Sequence, residues 1–533
     1  MKKILYIAFC LMMAVGCGNN PGVPENYSEA GRKPVIFPEY TDVTIPSNIA
    51  PLNFAVREPG VRCVARLTCG QLCRTYGDGM KVRIDMDEWR QLLSEAKGGK
   101  IDVEVFVENG GKWTAYQSFC LFVADEPIDE YISYRLIKPS YVAYELLTIN
   151  QRNLTNFEEK DIYNNMMVSS EAKGQCVNCH SYRNFRTDDM QLHLRQGFGG
   201  TIIVKDNHIS KVDLKTDSTI SAGVYPAWHP TEDIIAYSTN STGQSFHTKD
   251  KAKIEVQDTR SDLILYDIDK NEVTNISCLE DEFEVFPTWD ADGKTLYFCS
   301  AHFEYLDTVA HETELIKRYK EVHYNLYKKS FDPKTRTFGP TRLVYDAESK
   351  GRSVTLPRVS PDNRYILFAE GEFGCFHVWH PDADICIIDL KSGAMRKVEN
   401  VNSDCSESYP TWSSNGRWMM MASRRDDGNF TRPYIAYFDK SGKAHKAFEL
   451  PQEDPNFYTF CGKSYNRPEF MVEPVHVSPH ELAEVGKQEA VKASFRSNGV
   501  YSGAIDATTS ASARRKTAAQ TPESEGNDTT ASE

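Results

Sequence analysis

The chain has 533 residues, with 61 Lys and Arg against 75 Asp and Glu, and a formal net charge of −14. That balance excludes a nucleic-acid partner, which needs a basic footprint, and leaves room for a basic protein partner. The length allows two or three domains.

Lys2 and Lys3 precede an apolar run from Ile4 to Val15, then Gly16 and Cys17. This is a secretory signal over residues 1–16, with an apolar core too short to span a bilayer. Its ending, Ala14-Val15-Gly16-Cys17, resembles the bacterial lipobox. The resemblance implies that Cys17 is the first mature residue and carries several acyl chains, a far more durable anchor than one. An ordinary cleaved signal with release is the alternative. Gly18, Asn19 and Asn20 place no acid beside the anchor. By resemblance to known sorting rules, that implies a cell-envelope protein on the outer membrane facing the periplasm. No later stretch is apolar enough to cross a membrane, and removal of Lys2 and Lys3 makes the mature chain more acidic still.

Residues 17–33 are polar and rich in Gly, Pro and Asn, which reads as a tether. Over 34–150, short alternating runs such as VRCVARLTC, KVRIDM and IDVEVFV are broken by Gly79, Gly98-Gly99 and Gly110-Gly111. They predict a β-sandwich of immunoglobulin-like kind, with one helix at Glu88 to Ala96. Cys63, Cys69 and Cys73 read as a disulfide plus a spare thiol, because no histidine lies nearby to complete a metal site. The tyrosine-rich stretch Tyr131 to Tyr144 reads as a packed seam.

The densest chemistry lies in Cys176-Val177-Asn178-Cys179-His180. Two cysteines separated by two residues and followed by histidine form the attachment signature of a c-type haem. Each thiol adds to one porphyrin vinyl group, and the adjacent imidazole reaches the iron. A zinc site needs a second Cys/His pair at comparable spacing, and none follows. The expectation is one covalent haem c per chain, held by Cys176, Cys179 and His180 in a short helical segment over 151–199, with Asn156 to Met167 as a helix. Met190 and His193 are candidate distal ligands, since spacing by three places both on one helix face. Met166, Met167, His208 and Met471 are further candidates, and an open sixth position is another outcome.

A repeat then sets in. YPAWHPTEDIIAYST, FPTWDADGKTLYFCS, LPRVSPDNRYILFAE and YPTWSSNGRWMMMAS carry prolines at 226, 287, 357 and 410, and a fainter RPEFMVEPV has Pro468. Each unit reads apolar–Pro, a short strand, a polar turn and an apolar strand, often followed by a second hairpin. Four strands per unit at this period are the signature of propeller blades, which must stack in a ring to bury their faces. Five blades fit over 200–477, with TIIVKDNHISKVDL closing the last, and six is the alternative. Glu312 to Val322 reads as a helical excursion. Residues 478–533 lose aliphatic and aromatic content and read as a disordered tail.

These motifs resemble the TolB-like propeller repeat. With CVNCHSY, GGTIIV, PDADICIIDL, SRRDDGNFTRPYIAYFD and KSYNRPEFM, the chain resembles a family of bacterial envelope lipoproteins joining a β domain, a C-x-x-C-H cytochrome segment and a TolB-like propeller. That resemblance implies architecture and haem, and a channel that binds an envelope protein or peptide. DMQLHLR also matches, which favours Met190 or His193. No G-x-S-x-G elbow is present, so a hydrolase lacks its nucleophile. Arg424 to Asp427 and the group His377, His380 and Asp382 read as satisfied loops. The fold class is therefore mainly β: sandwich, short helical haem segment, TolB-like propeller and tail. The function expected is one-electron transfer with a redox partner. A non-redox propeller scaffold is one alternative, and a haem sensor or peroxidase-like protein with an open iron site is another.

Overall fold

In the computed structural model, residues 22–138, 146–168, 175–279, 281–306 and 311–497 are described. Cys17 and the residues from 498 onward lie outside them. The fold is mainly β, as expected, and divides into two units. One comprises residues up to 127 with 155–157 and 448–461; the other comprises 128–154, 158–447 and 462 onward.

In the first unit the strand Lys100–Asn109 is flanked by Arg62–Cys69, Lys112–Ala115 and Phe119–Val123. A second small sheet sets Phe54–Val56 between Ile36–Phe37 and Lys81–Val82. The helix Met86–Ala96 begins where Asp85 accepts from the amides of Asp87 and Glu88, and it buries Trp89, Leu92, Leu93 and Ala96. Those positions repeat at helical spacing, so one stripe faces the sheet. Trp89 donates through Nε1 to the Ile49 carbonyl at 2.8 Å. The tether is not free along its whole length: Ser28–Glu29 pairs in parallel with Thr114 and Ala115, and both guanidinium nitrogens of Arg32 grip Glu58 at 2.6 Å. Cys63, Cys69 and Cys73 are free thiols, which corrects the expected disulfide.

The second unit is built on six antiparallel sheets whose innermost strands neighbour one another in a closed circuit. In ring order these are Cys176–Arg183, Val224–Trp228, Glu282–Trp289, Ser353–Val359, Glu407–Trp412 and Ser464–Met471, taken below as blades one to six. The count is thus six, the alternative to five. The additional blade comes from the segment expected to be helical. Residues 176–213 form four successive antiparallel strands, Cys176–Arg183, Arg186–Arg195, Gly200–Lys205 and His208–Asp213. Asn156 to Met167 is likewise the strand Glu159–Asn164 with a 3-10 turn at Asn165–Met167. Asp189 to Leu194 are all buried, as in a strand covered on both faces, and hydrogen bonding to a neighbour on each edge overrides the weak helical signal.

Ring closure also differs from expectation. TIIVKDNHISKVDL stays within blade one, and blade six is completed by Tyr131–Ile137 pairing with Ser464–Met471, followed by Thr148–Asn153 and Glu159–Asn164. The tyrosine-rich stretch is therefore partly a blade strand, and residues 139–145 lie outside the described set. Beyond Ser478 the chain is ordered at first. Ser478 and Glu481 form a reciprocal capping box, and the helix Pro479–Gly486 buries Leu482 and Ala483. Val491 then pairs with Val212 and Phe495 with Val273. A strong helix start and a few apolar residues outweigh the polar composition. As expected, the excursion in blade three is helical, His311–Arg318.

The repeat's tryptophans link neighbouring blades. Trp289 donates to the Ala227 carbonyl at 3.1 Å and Trp412 to the Arg358 carbonyl at 3.2 Å. Trp412→Phe keeps the ring and loses one bond between blades four and five, an expected cost of about 1 kcal/mol in urea unfolding. No measurable change assigns that link no weight. In the polar turn of blade three, Gly293 has φ 68, and a Cβ there would lie 2.3 Å from His229 Nε2. The His229 ring instead bonds the Gly293 carbonyl at 2.9 Å.

Candidate functional site at the propeller hub

The residue before each repeat proline adopts a left-handed backbone: Tyr225, Phe286, Leu356, Tyr409 and Arg467, with φ between 49° and 56°. Side chains this large rarely take that conformation. In blades two to five it falls at a break in strand register, as between Val224 and Ala227 or Ser408 and Thr411. A bulge of this kind turns one side chain out of the sheet plane. The turned side chains converge on the axis. Tyr225 and Phe286 pack edge to face with centroids 4.5 Å apart, and Tyr409 and Arg467 lie within electrostatic reach of Cys179.

Cys179 is the same position in blade one. Its φ is 52° and it falls at the register break between Asn178 and Ser181. The C-x-x-C-H motif is thus superimposed on the propeller repeat, with His180 standing where the other blades carry proline. His180 is 1 % exposed, and neither ring nitrogen has a hydrogen-bonding partner. Burial holds its pKa well below the ordinary imidazole range, and the charges of Arg467, Arg135 and Arg358 push the same way. The backbone of Arg467 lies close enough to offset a little of that, without completing a hydrogen bond to the ring. A buried imidazole with both nitrogens free is costly, because each lost water partner goes unreplaced.

In blades four and six the residue after the repeat proline, Arg358 and Glu469, also reaches the axis. Arg358 of blade four reaches Glu469 of blade six at 2.7 Å, spanning the place of blade five, and Arg467 approaches the same carboxylate at 3.6 Å. Arg135 lies on the strand paired with Ser464–Met471, opposite Asn466. Its Nε is buried without a hydrogen-bonding partner. Two guanidinium groups therefore share one carboxylate, and Arg135 stands with them around the imidazole.

Cys176 and Cys179 are both buried and both free thiols. Cys176 belongs to an apolar cluster with Leu147, Ile149, Met190, Leu192 and Met471, whereas Cys179 belongs to the axial set. The expected distal ligands do not converge. Met190 is buried in the cluster that holds Cys176, and His193 points away from it, with Nδ1 3.1 Å from the Thr201 hydroxyl. Burial lowers the His193 pKa to about 3. On a strand, residues three apart face opposite sides, which corrects the shared helix face. Met166, Met167 and His208 are exposed. Among the described residues no group of three or more His, Cys, Asp and Glu converges as a metal site.

Chemically, the donors fit a c-type haem. Two free thiols are present, the imidazole lacks competing hydrogen bonds, and Arg135 keeps one buried N–H without an acceptor. The five other hub positions, Arg135, Arg358, Arg467, Tyr225 and Tyr409, were legible only as the variable places flanking the repeat prolines and, for Arg135, not at all.

The two other polar groups read from the sequence are internally satisfied. His377 bonds Thr355 and the Phe373 carbonyl, His380 meets Glu255 at 2.6 Å, and Asp382 pairs with Arg352. Arg424 stacks on Trp379 and donates to the Val378 carbonyl, while Asp427 accepts from the amides of Asn429 and Phe430.

No protein-family model matches the chain, and no curated protein matches it either. Solved structures are similar in part. The tricorn protease is 12% identical over 67% of this chain and 34% of its own, with a TM-score of 0.31. A cobalt-substituted ACO of Synechocystis is 12% identical over 80% of this chain and 95% of its own, at 0.35. The propeller domain of Cps50 (Swd1) from Myceliophteria thermophila is 10% identical over 52% of this chain and 70% of its own, at 0.27. The chain thus spans about a third of the tricorn protease. These likenesses carry no argument about activity, and the ring described above rests on its own strand pairing.

Buried charge away from the hub makes stability depend on pH. Burial raises the Asp262 pKa from 3.8 to about 7, slightly offset by Arg260, and Glu284 beside it is raised as well. A carboxyl that holds its proton longer in the folded state loses stability as pH rises from about 4 to about 7. Asp262→Asn should flatten that decline in urea unfolding at pH 5 and pH 7. An unchanged decline assigns it to other groups.

Proposed function

We propose that the protein is a monohaem c-type cytochrome whose haem is held at the hub of a six-bladed propeller and exchanges one electron with a partner in the bacterial envelope. The reading rests on the C-x-x-C-H sequence, and the observation that carries it is His180, buried with both ring nitrogens free. Cys176 and Cys179 would hold the porphyrin through two thioethers, the first from within the apolar cluster and the second beside the axial residues. His180 supplies the proximal nitrogen, kept neutral by burial and by the neighbouring arginines. Bound there, the haem supplies a one-electron couple at iron. The apolar residues around Cys176 exclude water, which favours a stable couple over ligand exchange. Anchoring through Cys17 keeps the propeller near the membrane, where an envelope protein or peptide docks as the redox partner.

The test is mass spectrometry of mature protein from its native envelope. The peptide carrying Cys176 and Cys179 should hold the mass of one haem, and the reduced protein should show a low-spin spectrum. An unmodified peptide ends the redox reading and leaves a propeller scaffold. The burial of Cys176 in an apolar cluster, 4 % exposed, favours that second reading.

A further inference from the structure

We infer that the hub is a carboxylate-binding site, with Arg135 as the guanidinium that awaits its partner and the Arg358–Glu469–Arg467 group as a preformed collar. The inference does not depend on haem being present: the carboxylates come either from a porphyrin's propionates or from a free ligand such as a peptide C-terminus.

Three observations combine. First, the Arg358–Glu469 pair at 2.7 Å crosses between blades four and six, so these side chains occupy the axis and not the blade interiors. Second, Glu469 is shared with Arg467 at 3.6 Å, so the one carboxylate is already committed to two cations. Third, Arg135 Nε is buried without a hydrogen bond, beside an imidazole whose two nitrogens are also unsatisfied. Arg135 is only partly buried, but a buried N–H left without an acceptor is costly, and the cost is offset when a carboxylate oxygen accepts from it. Tyr225 and Tyr409 flank the same space, and burial raises both phenols, so each remains a neutral donor for an anionic guest. His180 adds two ring nitrogens that no protein group bonds.

The chemistry selects for a flat, doubly accepting anion, because guanidinium binds carboxylate with two parallel hydrogen bonds where lysine acts as a point charge. Arg135→Lys therefore distinguishes a bidentate site from a merely cationic one.

The experiment uses the mature full-length chain, wild type, Arg135→Gln and Arg135→Lys, with succinate as probe and succinamide as uncharged control. In material without haem, succinate should raise the melting temperature saturably, and Arg135→Gln should weaken binding at least tenfold, with Arg135→Lys in between. In haem-loaded material, succinate should have no effect, and Arg135→Gln should instead shift the pH dependence of the midpoint potential, since a propionate has lost its partner. Absence of haem from native-envelope protein ends the cytochrome reading, and succinate binding to that material still supports this one. Equal effects of succinate and succinamide, or an Arg135→Gln protein unchanged in both measurements, overturn the carboxylate site. A folded Arg135→Gln chain is verified by circular dichroism. If it does not fold, Arg358→Gln, which frees Glu469 to compete for the hub, should weaken succinate binding, or the midpoint's pH profile should move, and neither change overturns the proposal.

Discussion

Replacing His180 by alanine should abolish the low-spin haem spectrum while leaving the propeller folded. The imidazole is buried against Tyr182 but makes no hydrogen bond, so its removal costs packing without breaking a polar link of blade one. If His180 holds a haem as proposed, its removal would take away the proximal nitrogen and leave the iron a weaker ligand or none. Visible spectra of the native-host protein check this: the variant should turn high-spin and bind CO, with far-ultraviolet circular dichroism unchanged. Cys176→Ser and Cys179→Ser should each leave haem on the remaining thioether, or free it under denaturation. A wild-type spectrum in the His180→Ala protein places the iron elsewhere and removes the hub from the redox account.

The second large effect concerns closure of the ring. Ile132 and Phe470 are cross-strand partners, both essentially unexposed, where the early strand Tyr131–Ile137 meets the late strand Ser464–Met471. Truncation leaves a cavity that a packed sheet cannot collapse. Ile132→Ala should cost about 2–5 kcal/mol and Phe470→Ala about 3–5 kcal/mol in urea unfolding. The double variant should fall short of the sum by more than 0.5 kcal/mol, roughly the coupling seen between touching residues. Losses near 1 kcal/mol or less in both variants mean the ring does not depend on this pair.

Much of the propeller was legible because its signal is local and repeated. An apolar residue before proline and a polar turn recur at Tyr225, Phe286, Leu356 and Tyr409, with a tryptophan two places after the proline in all but the third, where Val359 stands, and each instance folds by the same rule. Blade one was not legible in that way. Its proline is replaced by His180 and its tryptophan by Tyr182, and the haem signature drew attention to helix. Blade six was legible only through its fainter repeat at Arg467-Pro468: its other strands come from residues 131–164, and no local window contains both parts. The order of residues 479–495 was hidden by composition, although Ser478 and Glu481 announced a helix start in the sequence itself.

The amino-acid sequence by itself determined that the chain is mainly β, that it carries a propeller repeat, and that two thiols and an imidazole stand together at residues 176–180. Those properties depend on neighbours along the chain. Only the tertiary structure decided that the imidazole is at the axis, that Arg135, Arg358 and Arg467 surround it, and that Met190 and His193 face away from each other. Electrostatic environment and burial are set by strands brought together across hundreds of residues, and side-chain direction is set by a bulge whose register depends on the partner strand.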